Sequence, residues 1–373
     1  MALLNFENID STDITTTRTL LHEAIPLTGT IYRYLTGAYL DNNIKNYAHG
    51  MFQSVYDYPY LSSSANHIFD VTVCYAASSS FSGASNIQNA KKINMYTEYA
   101  QVLLGFSGSL TDPAKQVFLF ENDLTRDMSH GNQMKEVFVV NFSRLLTKDQ
   151  MKKGTFSMQV STGSWSNPWL SAGGVGHQGI GHTLSDASAS SDGTGVTSTQ
   201  GGDMGLLYSN YDNTARGVIF YQAGIVVLSG SAFWTGSFTQ PSFRYPGPGD
   251  WYRIPGGEVQ SIGQALTGSS ISGACDAVRH RIGNISFNNT TEINSKIYFC
   301  RVPHNKYNYS SNPTYLSGSK IRVKNLATDN SVSYITTVGL YGSANELLAV
   351  AKLSEPIRKD PTNDVTIRVR LDY

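Results

Sequence analysis

The chain has 373 residues, and 28 Lys and Arg balance 28 Asp and Glu, so the formal net charge at pH 7 is zero. Charged residues make up only 15% of the chain, compared with about 25% in an average soluble protein. Binding to a polyphosphate backbone requires an excess of basic residues, so this balance disfavours a general nucleic-acid-binding protein. Because a protein without net charge tends to associate, and because 22 Tyr offer contact area at low entropic cost, the composition favours a surface that contacts other proteins.

Cysteine usage and the N-terminus indicate where the chain folds. Cys74, Cys275 and Cys300 are an odd number and show no CxxC spacing, so we predict reduced, buried side chains rather than disulfides or a zinc site. Residues 1–10 lack the basic and apolar regions of a signal peptide. The longest apolar run, residues 224–228, is far shorter than the ~20 residues of a membrane helix. We therefore expect folding in the cytoplasm and no membrane partner.

Residues 1–62 are predicted to form an N-terminal arm and a helix. Apolar residues recur there at intervals of three and four positions, as on one face of a helix, and predict an α-helix near residues 37–57. The polar residues 10–17 predict an extended arm that orders on contact with a neighbour. The residues on the helical face are Leu40, Ile44, Tyr47, Met51 and Val55.

Residues 63–240 are predicted to form a β-rich domain with helices. Apolar and polar residues alternate from Phe69 to Tyr75 and predict a half-buried strand. Helical spacing from Ile93 to Leu104 predicts a helix that ends at Gly105. The apolar residues 136–146 predict another strand.

A capping box and a Ser/Gly-rich loop interrupt the strands of this domain. Thr147 and Gln150 have the spacing of a capping box and predict a short helix that ends at Gly154. Residues 185–195 are dominated by Ser, Gly and Thr and predict a long loop or hairpin tip. The remaining predicted strands are 155–160, 217–221 and 225–228.

Residues 241–373 are predicted to form a β-sandwich-like domain after a connector that runs to Gly257. Residues 365–373 alternate strictly between apolar and polar positions, which places the C-terminus in a sheet. The predicted strands are 297–302, 320–324, 334–341, 347–353 and 365–373. The fold class is therefore mainly β with a few helices (α+β), with an N-terminal helical arm and a β-sandwich-like C-terminal domain.

Catalytic and cofactor motifs are sparse. No Gly-Lys dipeptide occurs, which excludes a Walker A loop. Residues 174–179 match GxGxxG but follow no strand and open no helix, so we interpret them as a loop. The chain has no HExxH and no GxSxG, and His22-Glu23 lacks a second histidine. We predict no catalytic residue, no cofactor and no enzyme activity.

Two histidines in a Gly-rich stretch are the strongest metal candidates. His177 and His182 could share a cation with Asp186 or with symmetry-related copies. Solvent-exposed loop histidines are the favoured interpretation, because structural metal sites usually use more ligands. We therefore predict no metal site, and the alternative stays open.

The acidic and the basic side chains can each be interpreted either as ordinary surface charges or as a functional site. The acidic candidates for a glycosidase pair are weaker than ordinary surface carboxylates, since any long chain contains such pairs. The basic residues of the late strands are interpreted as a solvated strand face, with a contact patch for an acidic partner, or for DNA inside a portal or neck, as the alternative. The acidic candidates are Asp123, Asp127, Asp186 and Asp192, and the basic residues are Lys320, Arg322, Lys324, Arg358, Lys359, Arg368 and Arg370.

Seven strand and turn segments are distinctive in sequence: 69–79, 139–148, 218–224, 287–301, 308–315, 335–341 and 346–354. They resemble a family of virion structural proteins from large contractile-tailed bacteriophages of cyanobacteria and other marine bacteria. The resemblance covers about residues 65–373 and implies a particle component of the tail, baseplate or neck rather than an enzyme. It carries over no functional residue, because these segments contain no catalytic motif.

The resemblance and the composition together predict a structural protein that assembles with other phage structural proteins, in multiple symmetric copies, within the virion after folding in the host cytoplasm. One alternative is a carbohydrate- or receptor-binding β-sandwich with tryptophans as stacking platforms. The other is a glycan hydrolase at the particle tip that uses Asp186 and Asp192. The four tryptophans are Trp165, Trp169, Trp234 and Trp251.

Overall fold

A computed structural model shows a mainly β protein with a large antiparallel sheet. It divides into two compact units, which we call unit 1 (Met1–Leu20 with Glu292–Tyr373) and unit 2 (Leu21–Thr291). The three segments predicted from the sequence, 1–62, 63–240 and 241–373, have boundaries that differ from those of these two units. The residues described are 7–27, 43–107, 116–125, 132–161, 181–190, 192–233, 262–279, 281–310, 312–318, 320–322, 324, 326 and 328–373.

Two long strands, β1 (Ile14–Leu27) and β15 (Ile282–Val302), contribute residues to both units. The other strands of unit 2 are β2 (Ile44–Asn46), β3 (Gln53–Tyr56), β4 (His67–Tyr75), β5 (Phe106–Ser107), β6 (Gln116–Val117), β7 (Glu136–Phe142), β8 (Gln150–Met151), β9 (Ser157–Ser161), β10 (Gly181–Ser185), β11 (Val196–Thr199), β12 (Gly202–Ser209), β13 (Ala215–Phe220) and β14 (Ile225–Ser229). The sheet order is β15-β9-β10-β12-β13-β14-β7-β4-β3-β2, with β8 beside β15 and β11 beside β12.

The centre of this sheet is buried on both faces. The described residues contain three α-helices, α1 (Asn89–Leu103), α2 (Arg144–Thr147) and α3 (Ile271–Arg279), and a π-helix at Gln264–Gly268. Phe69 and Val71 of β4 share one apolar cluster with α3, and Cys74 shares a second cluster with α1. The predicted strand at residues 69–75 is therefore confirmed, but it is not half-buried, because a helix packs on each of its faces.

Helix α1 confirms the helical spacing predicted over residues 93–104. It ends at Leu103, and Gly105 follows with a φ of +85°. Glycine adopts this left-handed conformation without a Cβ clash, which explains the stop. Met95, Tyr96, Ala100 and Leu103 lie in the cluster beneath the helix.

The predicted helix over residues 37–57 is wrong where the structure describes it. Residues 44–46 and 53–56 form β2 and β3, and Ile44 pairs with Val55. Val55 in turn pairs with Phe69 of β4. This tertiary pairing overrides the local helical spacing. Residues 37–42 lie outside the described part of the chain.

The N-terminal arm predicted at residues 10–17 is ordered within the chain itself. Ser11–Asp13 form a 3₁₀ turn, and β1 begins at Ile14 and pairs with β15. No helical arm occurs in the described residues of the N-terminal segment. The reason is that the polar run contains β-branched threonines, which fit a strand.

The helix predicted to start at the capping box is also wrong. Thr147 is the last residue of α2 rather than its N-cap, and residues 150–151 form β8. Asn289 and Thr290 of β15 pair with β8. Residues 150–151 are therefore in a strand rather than in the helix that the capping box predicts. The apolar strand predicted at 136–146 is confirmed as the shorter β7.

Several predicted strands of unit 2 are confirmed. Residues 155–160 contain β9, residues 217–221 contain β13, and residues 225–228 lie in β14. The described residues of 186–195 form turns between β10 and β11, as their composition predicts.

Unit 1 is built from β16 (Leu316–Ser317), β17 (Lys320–Ile321), β18 (Ser333–Tyr341), β19 (Leu347–Lys359) and β20 (Val365–Asp372), with the parts of β1 and β15 noted above. These positions confirm the five predicted strands, although β17 is shorter than predicted. β18 and β19 form a hairpin, and β20 pairs with residues 295–302 of β15. Side chains of the hairpin, β15 and β20 share a third apolar cluster.

Candidate interaction surface

The outer side of the β18–β19 hairpin carries an apolar patch, which we call the hairpin face. It consists of Tyr341, Leu347, Leu348 and Val350, whose exposed fractions are 43%, 54%, 68% and 54%. Monomeric proteins rarely expose contiguous apolar side chains, and such patches mark interaction sites. The hairpin face is therefore the strongest candidate for a protein contact in unit 1.

The alternation of the hairpin explains why these side chains face outward. Leu340 is buried and Ala349, Ala351 and Leu353 are partly buried, and all four pack in the apolar cluster of unit 1. Successive side chains of a strand point to opposite faces, so Tyr341 and Val350 point away from this cluster. A register shift between Leu340 and Tyr341 breaks the alternation in β19, and Leu347 pairs with Tyr341 on the outer side.

Gly339 sits beneath the hairpin face. A Cβ atom at this position would lie 3.0 Å from Cε2 of Tyr341 and 3.3 Å from Cδ1 of Leu347. The glycine therefore lets the two apolar side chains lie over the backbone and close the patch.

Strand β1 provides a second exposed element. It stands at one end of the sheet order, and within the described residues only β15 pairs with it. Residues 14–24 are all exposed, including Leu20 and Leu21. An open edge strand presents unpaired N–H and C=O groups to which a strand of another chain can add.

His182 is buried, and both of its ring nitrogens form hydrogen bonds within the protein, so neither is available to bind a metal ion. Its side chain is 4% exposed, with Nδ1 2.6 Å from the Ser209 hydroxyl and Nε2 2.6 Å from the Ala232 carbonyl oxygen. Because a carbonyl only accepts, Nε2 carries the proton and Nδ1 accepts from Ser209. Burial lowers the pKa of His182, which favours this neutral form. His182 is a structural core histidine rather than the exposed loop residue expected, and His177 lies outside the described residues.

Asp186 is a buried structural acid. Its carboxylate accepts hydrogen bonds from the backbone N–H groups of Gly154 and Phe156, both at 2.8 Å, and from the Tyr221 hydroxyl at 2.9 Å. Burial raises the pKa of Asp186, and these three donors oppose the rise. With no exposed surface, the carboxylate cannot reach a substrate. It is not the surface carboxylate expected.

Two other acidic candidates, Asp123 and Asp192, accept hydrogen bonds within their own turns. Asp123 accepts from the Thr125 backbone N–H at 3.0 Å, and Asp192 accepts from that of Thr194 at 3.0 Å. Hydrogen bonds from Ser190 and Thr194 lower the pKa of Asp192 to about 2. Asp192 is exposed and Asp123 partly exposed, which agrees with the interpretation as ordinary surface carboxylates. Asp127 lies outside the described residues.

The predicted basic strand face is correct for most of its members. Lys320, Arg322, Arg358, Arg368 and Arg370 are exposed, and Lys324 is partly exposed. Lys359 is the exception, because its ammonium is buried and donates to carbonyl oxygens of His304, Asn308 and Asp360. The prediction fails at this residue because it faces a loop of unit 1.

Cysteines and tryptophans complete the sequence candidates. All three cysteines are free, as predicted; Cys74 and Cys275 are buried, whereas Cys300 is only partly buried. The GxGxxG match at residues 174–179 lies outside the described residues, as do Trp165, Trp169, Trp234 and Trp251.

A buried polar network joins β3 to α3 and could not be found from the sequence. Gln53 donates to Asp276 at 2.7 Å, and Arg279 donates to Asp276 at 2.9 Å and to Gln53 at 3.1 Å. Gln53 lies more than 220 residues from Asp276 and Arg279, and no local pattern signals such a contact. Buried hydrogen bonds of this kind favour one packing of β3 against α3.

Three observations bear on other functional classes. Within the described ranges, no three His, Cys, Asp or Glu side chains form a group that could hold a metal ion. None of the helices that the structure describes has the length and apolar character needed to cross a lipid bilayer. Comparisons with protein-family models, curated proteins and solved structures give no significant match, so no relative supplies a function for these residues.

Proposed function

We propose that this protein is a structural component of a tailed-phage virion, which assembles into the tail, baseplate or neck through protein–protein contacts. The observation that carries the proposal is the hairpin face, where Leu347, Leu348 and Val350 are each more than half exposed. Burying such side chains at an interface contributes about 25 cal/mol per Å² of apolar surface. The partners are neighbouring subunits of the particle, including further copies of this chain.

The distribution of exposed apolar side chains supports the same proposal. More than half of the large exposed apolar residues of the described chain belong to unit 1, although unit 1 is the smaller unit. The exposed edge of β1 adds a second way for a neighbouring chain to attach. A chain without net charge suits close packing among subunits, because it does not repel its copies.

We also propose that unit 1 contains the β-sandwich-like domain expected from the sequence. The packing of the β18–β19 hairpin against β15 and β20 through one apolar cluster supports it. Two sheets that bury their apolar faces against each other are the defining feature of a sandwich. In this arrangement the hairpin face is the outer surface of one layer.

Two variants and one control test the proposal. Leu348→Lys and Val350→Lys each place a charge on the hairpin face, whereas Leu145→Lys places the same charge on α2, where Leu145 is 82% exposed. We expect the hairpin variants to fold, to remain smaller than wild type by light scattering, and to be depleted from purified particles by mass spectrometry. The control is expected to assemble normally.

Two results would contradict parts of the proposal. Absence of the wild-type chain from purified particles overturns the virion assignment. Normal incorporation of both hairpin variants, with unchanged circular dichroism, shows that the hairpin face is not the contact surface.

A further inference from the structure

An open cleft of about 310 Å³ lies in unit 1. Its walls combine apolar surface with hydroxyl, amide and guanidinium groups, and ligand sites in proteins use a few such polar groups to orient what they bind. The lining residues are Ser310, Asn312, Thr314, Tyr315, Arg322 and Tyr334.

Hydrogen bonds within the chain set the walls of the cleft in place. Asn312 Oδ1 accepts from the Thr314 backbone N–H at 3.0 Å and from its hydroxyl at 2.9 Å, which caps the 3₁₀ turn Pro313–Tyr315. The backbone N–H of Arg322 donates to the Tyr315 carbonyl oxygen at 3.0 Å. A cleft formed in advance loses little entropy when it binds.

The cleft carries positive charge. Within the described residues, no acidic side chain forms an ion pair with Lys320, Arg322 or Lys324. The nearby Asp329 instead accepts from the Leu326 backbone N–H at 2.9 Å. The Arg322 guanidinium has the planar donor geometry that matches a carboxylate with two parallel hydrogen bonds.

Half-exposed tyrosine rings lie at the cleft. Tyr334 lines it and is 51% exposed, and the exposed Tyr309 packs edge-on against Tyr315 with ring centroids 5.1 Å apart. Such rings offer an apolar face beside a hydroxyl. A sugar ring has matching apolar and hydroxyl-bearing sides.

We propose that this cleft binds a sugar ring that carries a carboxylate, as in the uronic acid units of an acidic polysaccharide. Arg322 pairs with the carboxylate, the Asn312 amide N–H and the Tyr334 hydroxyl bind ring hydroxyls, and the Tyr334 ring packs against the sugar. The volume of the cleft is at the small end of ligand sites, so it accommodates only one or two sugar units. The proposal does not depend on the virion role.

Calorimetry with three probes tests it on the full chain. We expect binding of oligosaccharides from alginate, a uronic acid polymer, and no binding of neutral dextran. Arg322→Ala should weaken binding at least about tenfold, because a charge-assisted hydrogen-bond pair is lost. Tyr334→Ala should weaken it as well, and Arg322→Lys should restore part of the affinity. Arg368→Ala, an exposed arginine of β20, is the matched control and should bind as wild type.

Dextran sulfate distinguishes a specific site from charge attraction. Equal affinity for dextran sulfate and alginate, with equal losses in Arg322→Ala and Arg368→Ala, overturns the proposal. No heat of binding with alginate at millimolar concentration also overturns it, as does unchanged affinity in a correctly folded Arg322→Ala variant.

Discussion

The hydroxyl of Tyr221 donates a 2.9 Å hydrogen bond to the buried carboxylate of Asp186, so the residue after β13 is tied to the turn after β10. Tyr221 has no exposed surface, and the same carboxylate also accepts from two backbone N–H groups. Asp186 thereby serves as the acceptor that water would otherwise provide for the buried donors of Phe156 and Tyr221.

Removing the Tyr221 hydroxyl tests this role. Tyr221→Phe should lower the free energy of unfolding by about 1–3 kcal/mol, because a buried acceptor loses one donor. Asp186→Asn should cost more, since its amide NH₂ faces donors instead of accepting from them. Urea unfolding measures both. Tyr58→Phe, at a 56% exposed tyrosine, is the control and should be neutral; a Tyr221→Phe variant as stable as this control would refute the role.

The neutral state of His182 makes stability depend on pH. Burial lowers the pKa of His182 in the folded protein, whereas the unfolded chain takes up this proton near pH 6.5. The unfolded state therefore binds more protons as the pH falls, and the free energy of unfolding should decrease below about pH 6.5. We expect the decrease between pH 7.5 and 5.5 to be smaller in His182→Gln than in wild type.

His49→Gln is the matched control for His182, because His49 is exposed. Urea unfolding at several pH values gives the slope for each variant. If His182→Gln and His49→Gln show the same slope as wild type, His182 does not contribute to the pH dependence.

Two glycines should respond to alanine with opposite signs. At Gly217 in β13 a Cβ would lie 2.6 Å from the Val227 carbonyl oxygen, a backbone atom that cannot rotate away. Gly217→Ala should therefore destabilise the protein by about 1–3 kcal/mol. At Gly273 in α3 the nearest atoms lie at 3.5 and 3.6 Å, so Gly273→Ala should stabilise by about 0.5–1 kcal/mol through helix propensity. Thermal unfolding distinguishes the two, and a shared sign would contradict the packing described.

Local periodicity predicted the elements whose residues are held by their neighbours in sequence. Residues 365–373 alternate, and Ile367 and Val369 are buried while Arg368 and Arg370 are exposed. The prediction failed at residues 43–57, because pairing of Val55 with Phe69 decides their structure. A three- and four-residue spacing does not show that partner.

The candidate surfaces could be predicted only in part. Leu347, Leu348 and Val350 lie in a predicted strand, and alternation places Val350 opposite to its neighbours Ala349 and Ala351, so part of the hairpin face had a signal in the sequence. The exposure of both leucines depends on the register shift between β18 and β19, which the sequence does not show. The cleft had a weaker signal. Arg322 was predicted on a basic strand, but Asn312 and Tyr334 reach the cleft from other segments of the chain.

Lys359 should behave unlike its neighbour Arg358. Its buried ammonium donates to Asn308 Oδ1 at 2.8 Å and to the carbonyl oxygens of Asp360 at 2.9 Å and His304 at 3.2 Å. Lys359→Met keeps the length of the side chain but leaves these acceptors without a donor, so it should cost at least about 2 kcal/mol. Arg358 is exposed and forms a surface ion pair with Asp360 at 3.4 Å, so Arg358→Met should change stability by less than about 0.5 kcal/mol. Urea unfolding of both variants tests this prediction. Equal stabilities of the two variants would contradict it and would support the solvated basic face predicted from the sequence.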